Sequence, residues 1–203
     1  MKSLRPSLIT LLLGLALFAP VNRLPGAEVY RGRCDVVFEG DSTLHAFTGN
    51  ITNLALAVVC DTNAAGEAVL DTRIEIAPKR LTTHNEKRDA NMYRMFQADR
   101  FPMLFVLVTN APLAAAKLSP ANSPATTGTL PVQLTFCGIT KEVRAKTTNP
   151  KPLANGWEFD LQTEVPLAAF KLKPSSALFG LINVDDKVVI KAHIRVQKDP
   201  PKS

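Results

Sequence analysis

The sequence predicts a mainly β protein: an antiparallel barrel of about eight strands with one short lid helix. Three observations carry that prediction. Apolar and polar residues alternate with a period of two across 68–77, 128–137, 157–165 and 187–197, the pattern of strands with one wet face. Helical spacing stands out in one stretch, 81–110, whose first half places Met92, Met95 and Phe96 at i, i+3 and i+4. No repeated strand–helix alternation of the βαβ kind runs along the chain, so a lone helix is better suited to covering a barrel than to forming a layer.

Taken in order, residues 28–39 form the first expected strand, with Val36 and Phe38 on one face, and Gly40-Asp41-Ser42 supplies turn chemistry. In 47–60, Phe47, Gly49 and Ile51 share one parity and Leu54, Leu56 and Val58 the other. A bulge or bend is therefore expected near Thr52-Asn53. After a loop at 61–66, Leu70, Thr72, Ile74 and Ile76 point one way and Asp71, Arg73 and Glu75 the other. Thr83 is the expected N-cap of the helix, with Glu86 closing a capping box. Asp99-Arg100-Phe101-Pro102 stops the helix, because the residue before proline is pushed out of the α region. The wholly apolar run 103–108 has the length of a buried strand.

Residues 110–127, rich in Ala, Pro, Ser and Thr, read as a long surface connection. In 128–137, Leu130, Val132, Leu134 and Phe136 share a face, and Pro131 marks an edge or a bulge. Gly138-Ile139-Thr140-Lys141 is the expected turn into 142–148, where Val143 and Ala145 face inward, and 150–155 is another turn. Trp157, Phe159, Leu161, Thr163 and Val165 then alternate with Glu158, Asp160, Gln162 and Glu164. Residues 166–186 keep neither period and form an apolar loop, either a flap of the core or a lip on a ligand mouth. Val188, Ile190, Ala192, Ile194 and Val196 face inward from the last strand.

The ends are organised differently. Residues 1–26 have the build of a signal peptide: basic Lys2 and Arg5, then an apolar core too short to span a bilayer, then small residues at Gly26 and Ala27. An uncleaved anchor is the alternative, and in both readings the domain is exported, to a periplasm or beyond the cell. Residues 27–198 form the barrel domain and 199–203 a tail. Of 24 Lys and Arg, removal of Lys2, Arg5 and Arg23 leaves 21 against 18 acids, a net charge of +3. With no basic stripe interleaved with aromatics, nucleic acid is excluded as a partner, whereas transient contact with an anionic membrane surface stays compatible. Three cysteines suit either of two states. Cys34 and Cys60 would pair in a first hairpin whose register sums to 94, leaving Cys137 free; otherwise all three are reduced.

Several segments, in this order, resemble the YceI-like family of exported lipid-binding proteins. They are Ser42-Thr43-Leu44-His45 with Phe47 and Gly49; Leu81-Thr82-Thr83; Arg88-Asp89 with Met92; Phe101-Pro102 with Phe105; Gly128 with Leu130; and Leu134 to Lys141 with Val143. The resemblance spans nearly the whole mature length. It implies a lipocalin-like barrel with a long apolar cavity, and a ligand of the polyisoprenoid or quinone-like class.

The candidate ligand contacts follow. His45, Arg88 and Thr140 lie at expected turns or at the helix start, where each either meets a head group or braces the fold; Arg88 has the fork to grip a phosphate or carbonyl. Met92, Met95, Phe96, Phe101 and Phe105 are tunnel lining or ordinary core. Phe136, Trp157, Phe170 and Phe179 complete the candidate set. No nucleophile elbow or catalytic carboxylate pair is visible, so an enzyme is not expected, and neither is a cofactor. His45, His84 and His193 lack metal-ligand spacing. The expected partner is a long isoprenoid-type lipid, since each methylene moved from water into an apolar tunnel gains roughly 0.8 kcal/mol. A barrel filled by its own side chains, serving as an interaction module, is the rival reading. The sequence does not specify the oligomeric state.

Overall fold

Alternating rows need a second row to bury against, and here eight of them close on themselves. The computed structural model describes residues 26–43, 45–118, 127–174 and 184–198; the expected signal peptide up to residue 25, Phe179 and residues 199–203 lie outside them. The strands are β1 (Glu28–Ser42), β2 (Phe47–Thr62), β3 (Ala68–Ile76), β4 (Leu104–Pro112), β5 (Gly128–Phe136), β6 (Ile139–Leu153), β7 (Gly156–Pro166) and β8 (Val184–Lys198). Every neighbour in sequence is an antiparallel neighbour in space, and β8 returns to β1 to close the barrel. Helix α1 (Glu86–Met95) lies between β3 and β4, and a single turn, α2 (Leu113–Ala116), follows β4.

The parity switch in β2 is a bulge. Cys34 pairs with Leu54 but Val36 pairs with Ile51, so β2 carries one extra residue. Asn53 takes it up at φ 60°, its N–H donating to Asp35 Oδ1 at 2.7 Å and its side-chain oxygen accepting from Arg33. Two further irregularities use the same chemistry. Asn110 (φ 49°) interrupts β4 and donates its N–H to Asp71 on β3 at 2.9 Å, while Asn149 (φ 54°) interrupts β6 and reaches Asp160 on β7 with its side-chain amide at 2.7 Å. Asn tolerates the left-handed conformation that a bulge demands, and an Asp across the ladder takes up a donor beside it. Because these bulges let strands continue, β4 runs on into the expected 110–127 connection and β6 runs through Pro150, where a turn was expected.

The β5–β6 turn is Cys137-Gly138 rather than 138–141. Phe136 pairs with Ile139, and both turn residues have positive φ, 49° and 75°, as a two-residue hairpin loop with the sheet's twist requires. Cys137 is held there by its thiol, 3.1 Å from the Phe96 carbonyl. Pro131 sits on the part of β5 beyond its short pairing with β4, which covers Phe105–Leu107, so its missing N–H costs no ladder bond.

The Cys34–Cys60 pairing is corrected by the register. The tight first turn and the bulge place Leu54 opposite Cys34 and Glu28 opposite Cys60, so the two thiols stand six residues apart along the strands, about 20 Å. All three cysteines are free. Burial raises the Cys34 thiol to about 12 and the Cys60 thiol to about 11, helped by nearby carboxylates. Alkylation in denaturant should therefore count three thiols, and in the native protein Cys34 should stay unmodified at pH 8. A mass two hydrogen atoms lighter before reduction would contradict this.

Candidate functional site

The two halves of the barrel differ. Toward the end carrying α2, inward side chains from all eight strands are buried, among them Cys34, Leu54, Leu70, Val108, Leu130, Thr147, Phe159 and Ile194. Leu118 and Ala116 cap this end, with the Thr147 hydroxyl bonded to the Ala116 carbonyl at 2.7 Å. Gly128 is required here, since a Cβ on it would lie 2.4 Å from that carbonyl oxygen. Tyr30 and Trp157 seal the rim beside it, ring centroids 4.4 Å apart.

Toward the α1 end Gly49, Ile51, Leu104, Leu134, Phe136 and Val165 are buried, while other inward side chains stay partly exposed. Val36 and Phe38 on β1 pair with Ala192 and Ile190 on β8, which pair with Leu161 and Thr163 on β7. These residues, with Val188, Val143, Val106, Ile74 and Ile76, face inward and are partly buried. This half therefore carries a cluster of partly exposed aliphatic side chains, with Phe38 and Phe47 at the α1 end.

Helix α1 stands at this end of the barrel. Its N-cap is Asn85, which accepts from the Arg88 N–H at 3.0 Å, and not Thr83. Thr83 is otherwise engaged: its hydroxyl and N–H both donate to Asp89 Oδ1, and the Thr82 hydroxyl donates to Asp89 Oδ2 at 2.8 Å. Thr82 is bridged in turn to Asn50 of β2 by backbone bonds of 2.8 and 3.0 Å. One carboxylate thus ties the helix to the wall. Burial pushes the Asp89 carboxyl up, but the Thr83 and Thr82 hydrogen bonds and the Arg88 charge outweigh it, and the net shift is downward. Asp89→Ala is expected to cost about 2–3 kcal/mol in urea unfolding at pH 7. Since the folded value is depressed, this contribution is present above the unfolded carboxyl pKa of about 3.9 and is lost as pH falls through the folded value. A variant as stable as the parent at pH 7 would remove Asp89 as the tie.

The sequence candidates divide on this frame. Met92 and Met95 pack partly buried against the core. Phe96, Phe136 and Phe170 form a buried aromatic column, with centroid distances of 5.8 and 4.6 Å. Arg88 is half-buried, its guanidinium 5.5 Å from the centroid of the Phe47 ring, and among the described residues it forms no ion pair with a carboxylate. His45 is exposed in the β1–β2 turn.

Four candidates stand elsewhere. Phe105 points outward, paired with Glu75 and Thr135 and covered by the Arg73 guanidinium at 4.7 Å, because inward phase on β4 belongs to Leu104, Val106 and Val108. Thr140 is also on the outer face, its hydroxyl 2.8 Å from that of Thr135. Phe101 packs over the Gly138 turn, and Trp157 is at the sealed end. The inward rows on β1, β3, β7 and β8 are legible in the sequence, but no local signal separates the residues that stay partly exposed from those that are buried. Among the described residues, no three His, Cys, Asp or Glu side chains are placed to hold a metal.

The fold is similar to three solved structures. One is a polyisoprenoid binding domain from Saccharophagus degradans implicated in plant cell wall breakdown, with TM-score 0.60 and 12% identity, covering 85% of this chain and 99% of that one. Another is Burkholderia cenocepacia BcnA, with TM-score 0.56 and 14% identity over 79% and 94% of the two chains. The third is a Campylobacter jejuni YCEI protein, with TM-score 0.51 and 18% identity over 75% and 84%. No curated protein matches the sequence. The model of the YceI-like domain matches residues 32–196, and the chain belongs to that family.

Proposed function

We propose that this protein is an exported carrier of an isoprenoid-type lipid, polyisoprenoid or quinone-like, whose tail lies against the partly exposed inward residues at the α1 end of the barrel. The observation that carries the reading is the partly exposed aliphatic lining of that half. Such surface is costly to leave wet, and an alkyl tail gains roughly 0.8 kcal/mol per methylene on entering it. The structural relative described as a polyisoprenoid binding domain supports the same ligand class. Mass spectrometry of solvent extracts from protein recovered outside the cytoplasm tests the reading. The expected result is a prenyl lipid in near-stoichiometric amount on a chain beginning at Ala27. Protein that never carries or takes up a lipid would overturn it, and conversion of the lipid to a new product would contradict a carrier.

Arg88 supplies the head-group contact in this reading. Stacked on Phe47 at the α1 end, its planar fork is held in place with donors to spare. Arg88→Ala should weaken binding of a prenyl phosphate about tenfold or more while leaving the matching prenyl alcohol nearly unchanged. Equal losses for both in competition binding would show that Arg88 acts only through the helix.

A further inference from the structure

We infer that the outward face of α1, with the turns on either side of it, docks the protein on an anionic bilayer surface. Residues 27–203 hold 21 Lys and Arg against 18 Asp and Glu. Residues 79–100 alone hold six against three, and the remainder holds 15 of each. The whole net charge of the exported chain therefore sits on a collar made of the 3-10 turn Pro78–Arg80, α1 and the residues that follow to Arg100. Two of the three collar acids are engaged within it. Asp89 accepts from Thr82 and Thr83, and Asp99 pairs with Lys79 at 2.7 Å. The third, Glu86, lies in the first turn of α1, where the helix dipole favours a carboxylate. Among the described residues, Arg80, Lys87, Arg88, Arg94 and Arg100 form no ion pair with a carboxylate. Arg80 reaches the Thr52 carbonyl, Arg94 the Asn91 side chain, and Arg100 lies over the Phe101 ring.

Helix geometry turns this charge away from the barrel. Asp89, Met92, Tyr93 and Phe96 take the inner side: the Tyr93 hydroxyl donates to the Leu81 carbonyl at 2.7 Å, and Met92 and Phe96 pack on the core. Lys87 and Arg94 lie on the opposite side, two turns and about 10 Å apart, and both are exposed. A solvated helix face is usually steadied by a carboxylate three or four residues from each Lys or Arg. Around Lys87 and Arg94 those positions are Thr83, His84, Ala90, Asn91, Gln97 and Ala98, none of them acidic. The neutralising charge must come from outside the chain. Lipid phosphates spread in the plane of a bilayer supply it over an area the size of a helix face and its flanking turns. Because the rest of the chain is balanced, no second surface competes for that plane. The contact extends the carrier reading by bringing the end with the partly exposed inward residues to the bilayer, and it requires no cargo.

The test is co-sedimentation of the exported chain, beginning at Ala27, with phosphatidylglycerol vesicles and with phosphatidylcholine vesicles. The expected result is binding to the anionic vesicles alone, abolished in about 1 M salt, where screening leaves a reach of about 3 Å. Each basic side chain near such a surface contributes roughly fivefold, so Lys87→Gln combined with Arg94→Gln should lower partitioning about thirtyfold. Arg144→Gln combined with Lys146→Gln removes the same charge from the exposed outer face of β6 and should lower it less than about threefold. Both pairs are on the surface, and urea midpoints close to the parent's will show that the variants fold. Equal losses in the two double variants would overturn the collar as the docking face. Absence of any preference for phosphatidylglycerol would overturn the bilayer as its partner and point to an acidic protein instead. Prenyl-lipid binding in solution, measured on the Lys87→Gln, Arg94→Gln protein, should match the parent. A parent that docks but never takes up a prenyl lipid would overturn the carrier and leave the docking standing.

Discussion

Phe170→Ala is expected to destabilise the protein by about 3–5 kcal/mol, the usual cost of emptying a fully buried aromatic site. Phe170 is 1% exposed and ends the short 3-10 turn Leu167–Phe170 that follows β7. Its ring lies 4.6 Å from Phe136, which meets Phe96 at the end of α1, so one side chain links the turn, the β5–β6 hairpin and the helix. The loss is therefore a cavity plus two weakened contacts across separate elements. Urea unfolding with an unchanged slope, and a melting temperature lowered by about 10 °C or more, are the expected readings. A loss under about 1 kcal/mol would mean the turn is not docked as described.

The second large effect is on binding. Ile190 faces inward between Phe38 on β1 and Thr163 on β7, and it is only partly buried. Ile190→Asp should fold, because water already reaches the site, but should lower prenyl-lipid affinity at least about a hundredfold. A carboxylate there must be stripped of water or protonated before an alkyl tail can lie against it, at a cost of several kcal/mol. Ile190→Leu keeps the lining apolar and should bind nearly as the parent does. Unaltered affinity in a folded Ile190→Asp protein would place the lipid somewhere else.

Much of the barrel is legible in the residues because strand alternation is local. The rows on β3, β5, β7 and β8 can be assigned to a face from the chain alone, and the bulge at Asn53 betrays itself by a parity switch between two apolar trios. The bulges at Asn110 and Asn149 do not. Each is followed within two residues by a proline, and local chemistry then reads as a turn; the Asp that rescues each one is on another strand. The Cys34–Cys60 pairing fails for a related reason, since a hairpin register depends on its turn and on every bulge between the two residues.

Phase in an unbroken apolar run is equally hidden. Nothing within 103–108 says whether Leu104 or Phe105 points inward; the ladders with β3 and β5 decide it, and they put Phe105 outside under Arg73. At the site, the ordered motifs located the helix and its Arg88-Asp89 pair but could not say that Asp89 binds Thr82 and Thr83 while Arg88 stacks on Phe47.

By itself the sequence determined the strand count, the antiparallel class and the inward rows, because a two-residue period is written along each strand. Only the tertiary structure decided which inward side chains are buried and which stay partly exposed. Both sets draw on the same Val, Ile, Leu and Phe. Whether opposing side chains touch depends on their summed volume across eight strands, a quantity no single stretch of chain contains.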